Sequence, residues 1–249
     1  MKKAIVIPSY LAEKTLPSVL KRIPAEFWDD GIAVIVNDCS PDNTGRVAGE
    51  LATQYPGLRV EHHDRNQGYG GAQKTGLRRA IREGAGAFAI VHADGQYAPE
   101  QVLQLLDPIL KGEAHLVQGS RFKGGGALRG GMPLHRYLPN IALTLVENLA
   151  FGTRLAEFHS GYVCYSGELL RRAPFERTQN NYCCDAEMIV FAHLLGWKTV
   201  EIPIPTRYDD EISSLKPIPY GINVLKMVGR YLRGDYRRML QEHQSRAQG

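Results

Sequence analysis

Residues 87–99, Ala-Phe-Ala-Ile-Val-His-Ala-Asp-Gly-Gln-Tyr-Ala-Pro, carry an apolar strand directly into Asp94 and Gln96, with turn residues beyond. A carboxylate at the carboxyl end of a buried strand stands where open α/β sheets place ligands. Oxygen ligands there suit a divalent cation carrying a diphosphate. The flanking chain has the rhythm such a sheet needs. Strand-like runs at 4–7, 33–36, 58–61, 88–91 and 116–118 alternate with helical patterns near 14–23, 43–55, 70–83 and 100–111. This alternation predicts right-handed crossovers and an α/β fold, a mostly parallel central sheet with helices on both faces.

After residue 119 the pattern changes. Gly124-Gly125-Gly126 and Gly130-Gly131 flank a basic segment, so residues 120–136 are expected to form a mobile loop of the kind that closes over substrates. A helix over about 138–150, a strand at 162–165, a helix over 185–195 and a strand at 199–202 complete the body, residues 1–215. The tail, 216–249, is expected to carry one amphipathic helix over 220–240. Val224, Leu225, Val228, Tyr231, Leu232, Tyr236, Met239 and Leu240 take one face, and Lys226, Arg230, Arg233 and Arg237 the other. Such a helix either packs on the core with a solvated basic side or lies at an anionic membrane surface.

The 249 residues, 43% apolar, suffice for one continuous core and leave no room for a second full domain. The most apolar later stretch, 141–151, is interrupted by Glu147 and Asn148 and is shorter than the roughly 18 residues of a membrane-spanning helix. The apolar run behind Met1-Lys2-Lys3 stops at Pro8, too short for a signal-peptide core. Cys39, Cys164, Cys183 and Cys184 lack metal-type spacing and read as buried thiols of a reducing compartment, hence a cytoplasmic location. Five Lys and Arg between Lys226 and Arg238 face only Asp235, a surplus equal to the +4 of the whole chain. The charge is therefore local, which argues against a nucleic-acid surface.

Two further strand exits share the sheet edge with Asp94. Pro8-Ser9-Tyr10-Leu11-Ala12-Glu13 leaves the first strand, and Val36-Asn37-Asp38-Cys39-Ser40-Pro41-Asp42-Asn43-Thr44 leaves the second. Tyr10 is suited to stack on a base or to pack, and Asp38 to accept from a base N–H or close an Asx turn. Asp42 or Asn43 caps the next helix. After the third strand, the glycines of Asn66-Gln67-Gly68-Tyr69-Gly70-Gly71-Ala72-Gln73-Lys74-Thr75-Gly76 permit either a diphosphate at a helix amino terminus or a tight turn. The segment fits neither the Walker pattern nor the dinucleotide fingerprint.

In order, these four segments resemble the inverting glycosyltransferase family 2, whose fold is GT-A, and most closely its dolichyl-phosphate mannose synthase-like branch. The resemblance covers residues 4 to about 215. It implies a nucleotide-sugar donor, UDP- or GDP-linked, bound by Pro8, Tyr10, Glu13, Asp38, Gly68 and Asp94. It also implies a divalent cation, Mn2+ or Mg2+, at Asp94 and Gln96. Leu11 and Ala12 stand where the family has Asn-Glu, Asn37 replaces an acidic residue, and His92 replaces the first Asp of the metal motif. An imidazole there suits manganese better than magnesium; otherwise Asp94 holds the cation with waters and diphosphate, and His92 is a bystander.

Downstream, the resemblance places Glu157-Phe158-His159-Ser160-Gly161-Tyr162 along the sugar and acceptor region, His159 being either a diphosphate contact or structural. It gives Asp185, then Glu187, as the acceptor-side base, though carboxylates at a helix start also favour its dipole. Residues 206–214 are similar to a segment that folds over bound donor. Arg207, with Arg121 and Arg136, is suited to pair with phosphate oxygens. An alcohol acceptor requires the base, whereas a lipid phosphate is already ionised and does not. Leu11, Ala12 and His92 leave one alternative, a catalytically weak nucleotide-sugar binding protein. A nucleotidyltransferase would need a glycine-rich basic signature directly after the first strand, which Pro8-Ser9-Tyr10-Leu11 is not.

Overall fold

β1 (Lys3–Ser9) is apolar on both faces and buried on both: Ala4 and Val6 pack into one core cluster, Ile5 and Ile7 into the other. A strand of that kind belongs in the middle of a parallel sheet sandwiched by helices. It lies there in this computed structural model, which describes residues 1–205 and 217–248. β2 (Ile32–Asn37) and β3 (Leu58–His62) extend the sheet in parallel on one side of β1, and β4 (Ala87–Ile90) pairs in parallel on the other. Beyond β4 the order is β6 (Val163–Ser166), β5 (Leu116–Ser120), then β7 (Thr199–Pro203), with β6 antiparallel to both neighbours. Each of the seven strands expected from the sequence is present, its ends shifted by two residues at most.

The Ile5 side of the sheet is covered by α1 (Leu16–Lys21), α2 (Thr44–Gln54) and α4 (Val102–Leu110). The Val6 side is covered by α3 (Tyr69–Arg82), α8 (Cys184–Leu194) and the C-terminal helices. The chain travels outward from β1 to β3 and then crosses back to β4, so the order reverses between β1 and β4. The crevice outside their carboxyl ends is the place where open α/β sheets bind ligands. The loops carrying Tyr10 and Asp94 both begin there.

Three expectations are corrected. The loop expected over 120–136 is largely helical: a short turn at Lys123–Gly125, α5 (Gly126–Arg129), then α6 (Leu134–Phe151), which starts four residues ahead of the expected helix. The short α7 (Gly167–Arg172), capped by Ser166 Oγ accepting from the Leu169 N–H, was not expected. The tail is two helices, α9 (Pro217–Leu232) and α10 (Asp235–Gln248), separated at Arg233 and Gly234. Val224, Met227, Val228, Tyr236, Met239 and Leu240 join the core, which favours the packing reading of this segment, but Leu225 and Leu232 of the same expected stripe are exposed. Cys39 is also exposed, unlike the other three cysteines.

Candidate active site

The loops leaving β1 and β2 are stitched together across the crevice rim. Leu11 N–H donates to Ser40 Oγ at 2.8 Å, Ala12 N–H to Thr44 Oγ1 at 2.8 Å and Glu13 N–H to Asp42 Oδ2 at 3.2 Å. In return, Glu13 Oε2 accepts from the backbone and side-chain nitrogens of Asn43, each at 3.0 Å. Burial works against ionisation of Asp42, yet hydrogen bonds from Ser40 and Thr44 outweigh it and hold the carboxyl below its ordinary value. Glu13 is thus a loop clamp, and Pro8 lies within β1 opposite Val36. Tyr10 stays half exposed at the rim, its ring open to a ligand.

Asp38 is buried and engaged. It accepts from His63 Nδ1 at 2.6 Å, from Gln67 N–H at 2.7 Å and from Gly68 N–H at 2.9 Å. These bonds fix Asp38 against the start of the glycine-rich segment. That segment is also not an open diphosphate cradle. Gly68 has φ +81°, and a Cβ there would lie 2.5 Å from the Asn180 carbonyl. Gly70 N–H donates to the same carbonyl at 2.9 Å. Lys74 Nζ reaches Thr178 O and Asn180 Oδ1 at 2.6 Å each, and its burial lowers its pKa. The glycines let the 178–180 backbone come close, and the lysine fixes it, so the segment positions the start of α8.

At that start Asp185 is 4% exposed and bonded on both oxygens. It accepts from Gln73 Nε2 at 2.6 Å, Tyr165 OH at 2.8 Å and Tyr69 OH at 3.0 Å. Burial raises its pKa against those three hydrogen bonds. Tyr69 OH also meets His92 Nε2 at 3.1 Å. A hydroxyl has one proton, so with that proton given to Asp185, Tyr69 accepts from a His92 Nε2–H and Nδ1 keeps the lone pair. His92 is further ringed by Tyr97, edge-on at 5.0 Å, while Tyr182 stacks on Tyr69 at 5.1 Å. Glu187 faces away from this cluster, fully buried, accepting from Tyr236 OH at 2.6 Å, Gln179 N–H at 2.6 Å and Arg230 Nη1 at 2.8 Å. These bonds tie Glu187 to the C-terminal helices and Asp185 to the Tyr69–His92 chain.

Asp94 is exposed at the end of β4, as its position in the sequence predicts. Its Oδ1 accepts the Gln96 N–H at 2.9 Å, and Oδ2 has no partner among the described residues. The Gln96 side-chain amide and His92 Nδ1 are likewise without partners there. By chemistry alone, a carboxylate, an amide oxygen and an imidazole suit a cation completed by diphosphate oxygens and water, and suit manganese better than magnesium. Among the described residues no three His, Cys, Asp or Glu side chains gather into a closed metal cage.

On the acceptor side, Arg121 is buried against Glu157, which takes its backbone N–H at 2.9 Å and its Nε at 2.7 Å, while Nη2 reaches the His159 carbonyl at 2.9 Å. Its expected role as a phosphate contact becomes that of holding the 157–159 segment. His159 is buried too: Nδ1 meets Tyr220 OH at 2.7 Å, and Nε2 stands 3.1 Å from Glu147 Oε2 without hydrogen-bond alignment. Its neighbours favour the structural alternative. Arg136 is exposed, its side chain without a partner among the described residues; Arg207 lies outside them.

Burial raises the Glu147 carboxyl above the ordinary 4.5, with His159 opposing. The native state therefore favours the protonated form, and this contribution, complete below the unfolded value, is lost as pH rises through the raised one. Glu147→Gln is expected to gain stability relative to the parent as pH climbs above about 4.5, read as a rising difference in urea midpoint.

Residues 4–178 match Glycosyl transferase family 2. The chain belongs to that family. The undecaprenyl-phosphate mannosyltransferase of Micrococcus luteus is 30% identical over 205 residues, 82% of this chain and 83% of that one. The UDP-N-acetylglucosamine–dolichyl-phosphate N-acetylglucosaminyltransferase of Methanococcus voltae is 28% identical over 218 residues, 83% of this chain and 86% of that one. Among solved structures, glucosyl-3-phosphoglycerate synthase of Mycobacterium tuberculosis with Mn2+ and UDP-glucose superposes with a TM-score of 0.64 at 20% identity, over 93% of this chain and 78% of that one, a likeness of GT-A fold.

Within this glycosyltransferase, the aromatic ring around His92 went unread in the sequence, although Tyr69 sits inside the glycine motif and Tyr97 directly follows Gln96. Gly161 completes it, because a Cβ there would overlap His92 Nε2. Gly161→Ala is expected to push His92 off Tyr69 and lower turnover about tenfold or more, as misplacement within a catalytic site does. Steady-state kinetics beside a melting curve that moves little would bear this out.

Proposed function

We propose that this glycosyltransferase moves a sugar from a UDP- or GDP-sugar to a polyprenyl phosphate. The observation that carries the reading is the state of the acceptor-side carboxylates. Asp185 and Glu187 are buried and already accept three and four hydrogen bonds from the protein, which supports an acceptor that needs no base from either. A phosphate monoester is largely ionised at neutral pH, with a second pKa of about 6, and attacks without a base. Its oxygen displaces the nucleoside diphosphate from the opposite face of the anomeric carbon, giving inversion. The similarity to transferases named for undecaprenyl and dolichyl phosphate supports the same acceptor class.

In this reading Tyr10 stacks on the base, while Asp94 and Gln96 hold a divalent cation that, when bound, offsets charge on the departing diphosphate as a Lewis acid. His92, fixed by Tyr69, presents Nδ1 to the same region, and Arg136 and Arg207 meet phosphate oxygens. Turnover with Mn2+ is expected to exceed that with Mg2+. The enzyme would work in the cytoplasm, peripherally at the inner membrane face where such acceptors are presented.

The test is transfer of radiolabelled sugar from UDP- and GDP-sugars, offered polyprenyl phosphate or soluble sugars. Label entering the lipid phase only with polyprenyl phosphate is the expected result. Transfer to soluble sugars alone overturns the acceptor, and nucleotide binding with no turnover on any acceptor turns the reading to the weak binding protein.

A further inference from the structure

α6 is inside out for a helix surrounded by water. Leu134, Leu138, Ile141, Leu145 and Leu149 recur at intervals of three and four, so they share one face, and that face is exposed, Leu145 at 57% and Leu149 at 76%. Thr144 and Glu147 point inward instead, together with Phe151. A helix at the surface of a soluble domain has the opposite arrangement. α9 packs beside α6, with Tyr231 edge-on to Phe151 at 4.8 Å and Tyr220 bonded to the His159 that meets Glu147. It too exposes a stripe, Ile218, Ile222 and Leu225, with Ile218 at 78%.

We propose that α6 and α9 together form a face that lies in the interfacial layer of an anionic lipid bilayer. Charge identifies the occupant. Over residues 126–152 and 217–234 the one acidic residue is Glu147, which is buried, while Arg129, Lys226 and Arg233 are exposed, Arg233 also meeting Asp235. Basic side chains around an apolar stripe match anionic headgroups over acyl chains. A second copy of the chain would bring like charges together across the same stripe. Among the described residues no helix is long and apolar enough to cross a membrane, so the geometry is one of lying flat. The expectation that 220–240 meets the membrane through one helix face is thereby relocated: the apolar side of that segment is mostly core, and α6 supplies most of the contact.

The proposal deepens the lipid-phosphate reading and rests on it for its purpose, not for its evidence, so the test uses vesicles without any polyprenyl phosphate. Flotation with phosphatidylglycerol/phosphatidylethanolamine vesicles is compared for the parent and Leu145→Glu/Leu149→Glu, with Ile81→Glu on α3 as control and Leu134→Ser/Leu138→Ser as a milder second variant. Binding by the parent and the control, weakened at least tenfold in both α6 variants and reduced by added salt, is the expected result, with unchanged circular dichroism. Transfer to a short, water-soluble prenyl phosphate should be retained by the variants. Failure of the parent to float, equal flotation of the α6 variants, or loss of a dimer in the variants with no change in flotation overturns the proposal. Flotation as expected with no transfer to any phosphate keeps the membrane face and overturns the acceptor reading.

Discussion

Asp94→Ala is expected to lower transfer by about 10²–10³-fold while leaving the fold intact, the loss of ~3–4 kcal/mol that a Lewis-acid contact to a developing charge supplies. The asymmetry follows from where the side chain stands. Asp94 is exposed at the end of β4, and its one hydrogen-bond partner among the described residues is the Gln96 N–H, so its removal costs the fold a single turn hydrogen bond, about 1 kcal/mol. The change should fall on kcat/KM, with circular dichroism unaltered. Asp94→Asn, which keeps the turn bond but not the charge, should share the kinetic loss and none of the small stability loss. Full turnover in either variant would remove this carboxylate from the chemistry.

Glu187→Ala has the opposite signature. Its carboxylate is wholly buried and gathers the Tyr236 hydroxyl, the Gln179 backbone and side-chain amides and the Arg230 guanidinium, tying α8 to both C-terminal helices. Breaking a buried charge pair from one side typically costs about 3–5 kcal/mol, because the remaining groups lose their partner without regaining water. Thermal unfolding should show a large drop in midpoint. Glu187→Gln, which keeps one acceptor oxygen, should recover part of it, and the folded protein should retain kcat within a few-fold. A base would behave in reverse, losing rate in the Gln variant at unchanged stability.

The contrast between these two residues marks what the sequence can convey. The central strands were legible because buried strands are continuous apolar runs, the part-exposed β3 and β7 by alternation with helices, and Asp94 because a carboxylate directly after such a run must emerge at the sheet edge. The partners of the other carboxylates were not legible. Asp185 is bonded by Gln73, 112 positions away, and Glu187 by Arg230, 43 positions away, contacts that no local spacing encodes. Asp38 and the glycine segment illustrate the same limit: the glycines permit either a ligand or a tight turn, and what fills the space beside them is the 178–180 backbone. α7 was missed because six residues opening on glycine show too little periodicity. In α6 the sequence shows an apolar stretch over 141–151, but composition does not say which face turns outward.

Calorimetric titration of UDP and GDP into the parent and Asp94→Ala, each with and without Mn2+, tests the central claim most directly. Mn2+ is expected to tighten binding of one nucleoside diphosphate to the parent by at least tenfold, and Asp94→Ala to abolish this increment while keeping the weak metal-free affinity. An increment of equal size in both proteins would contradict it.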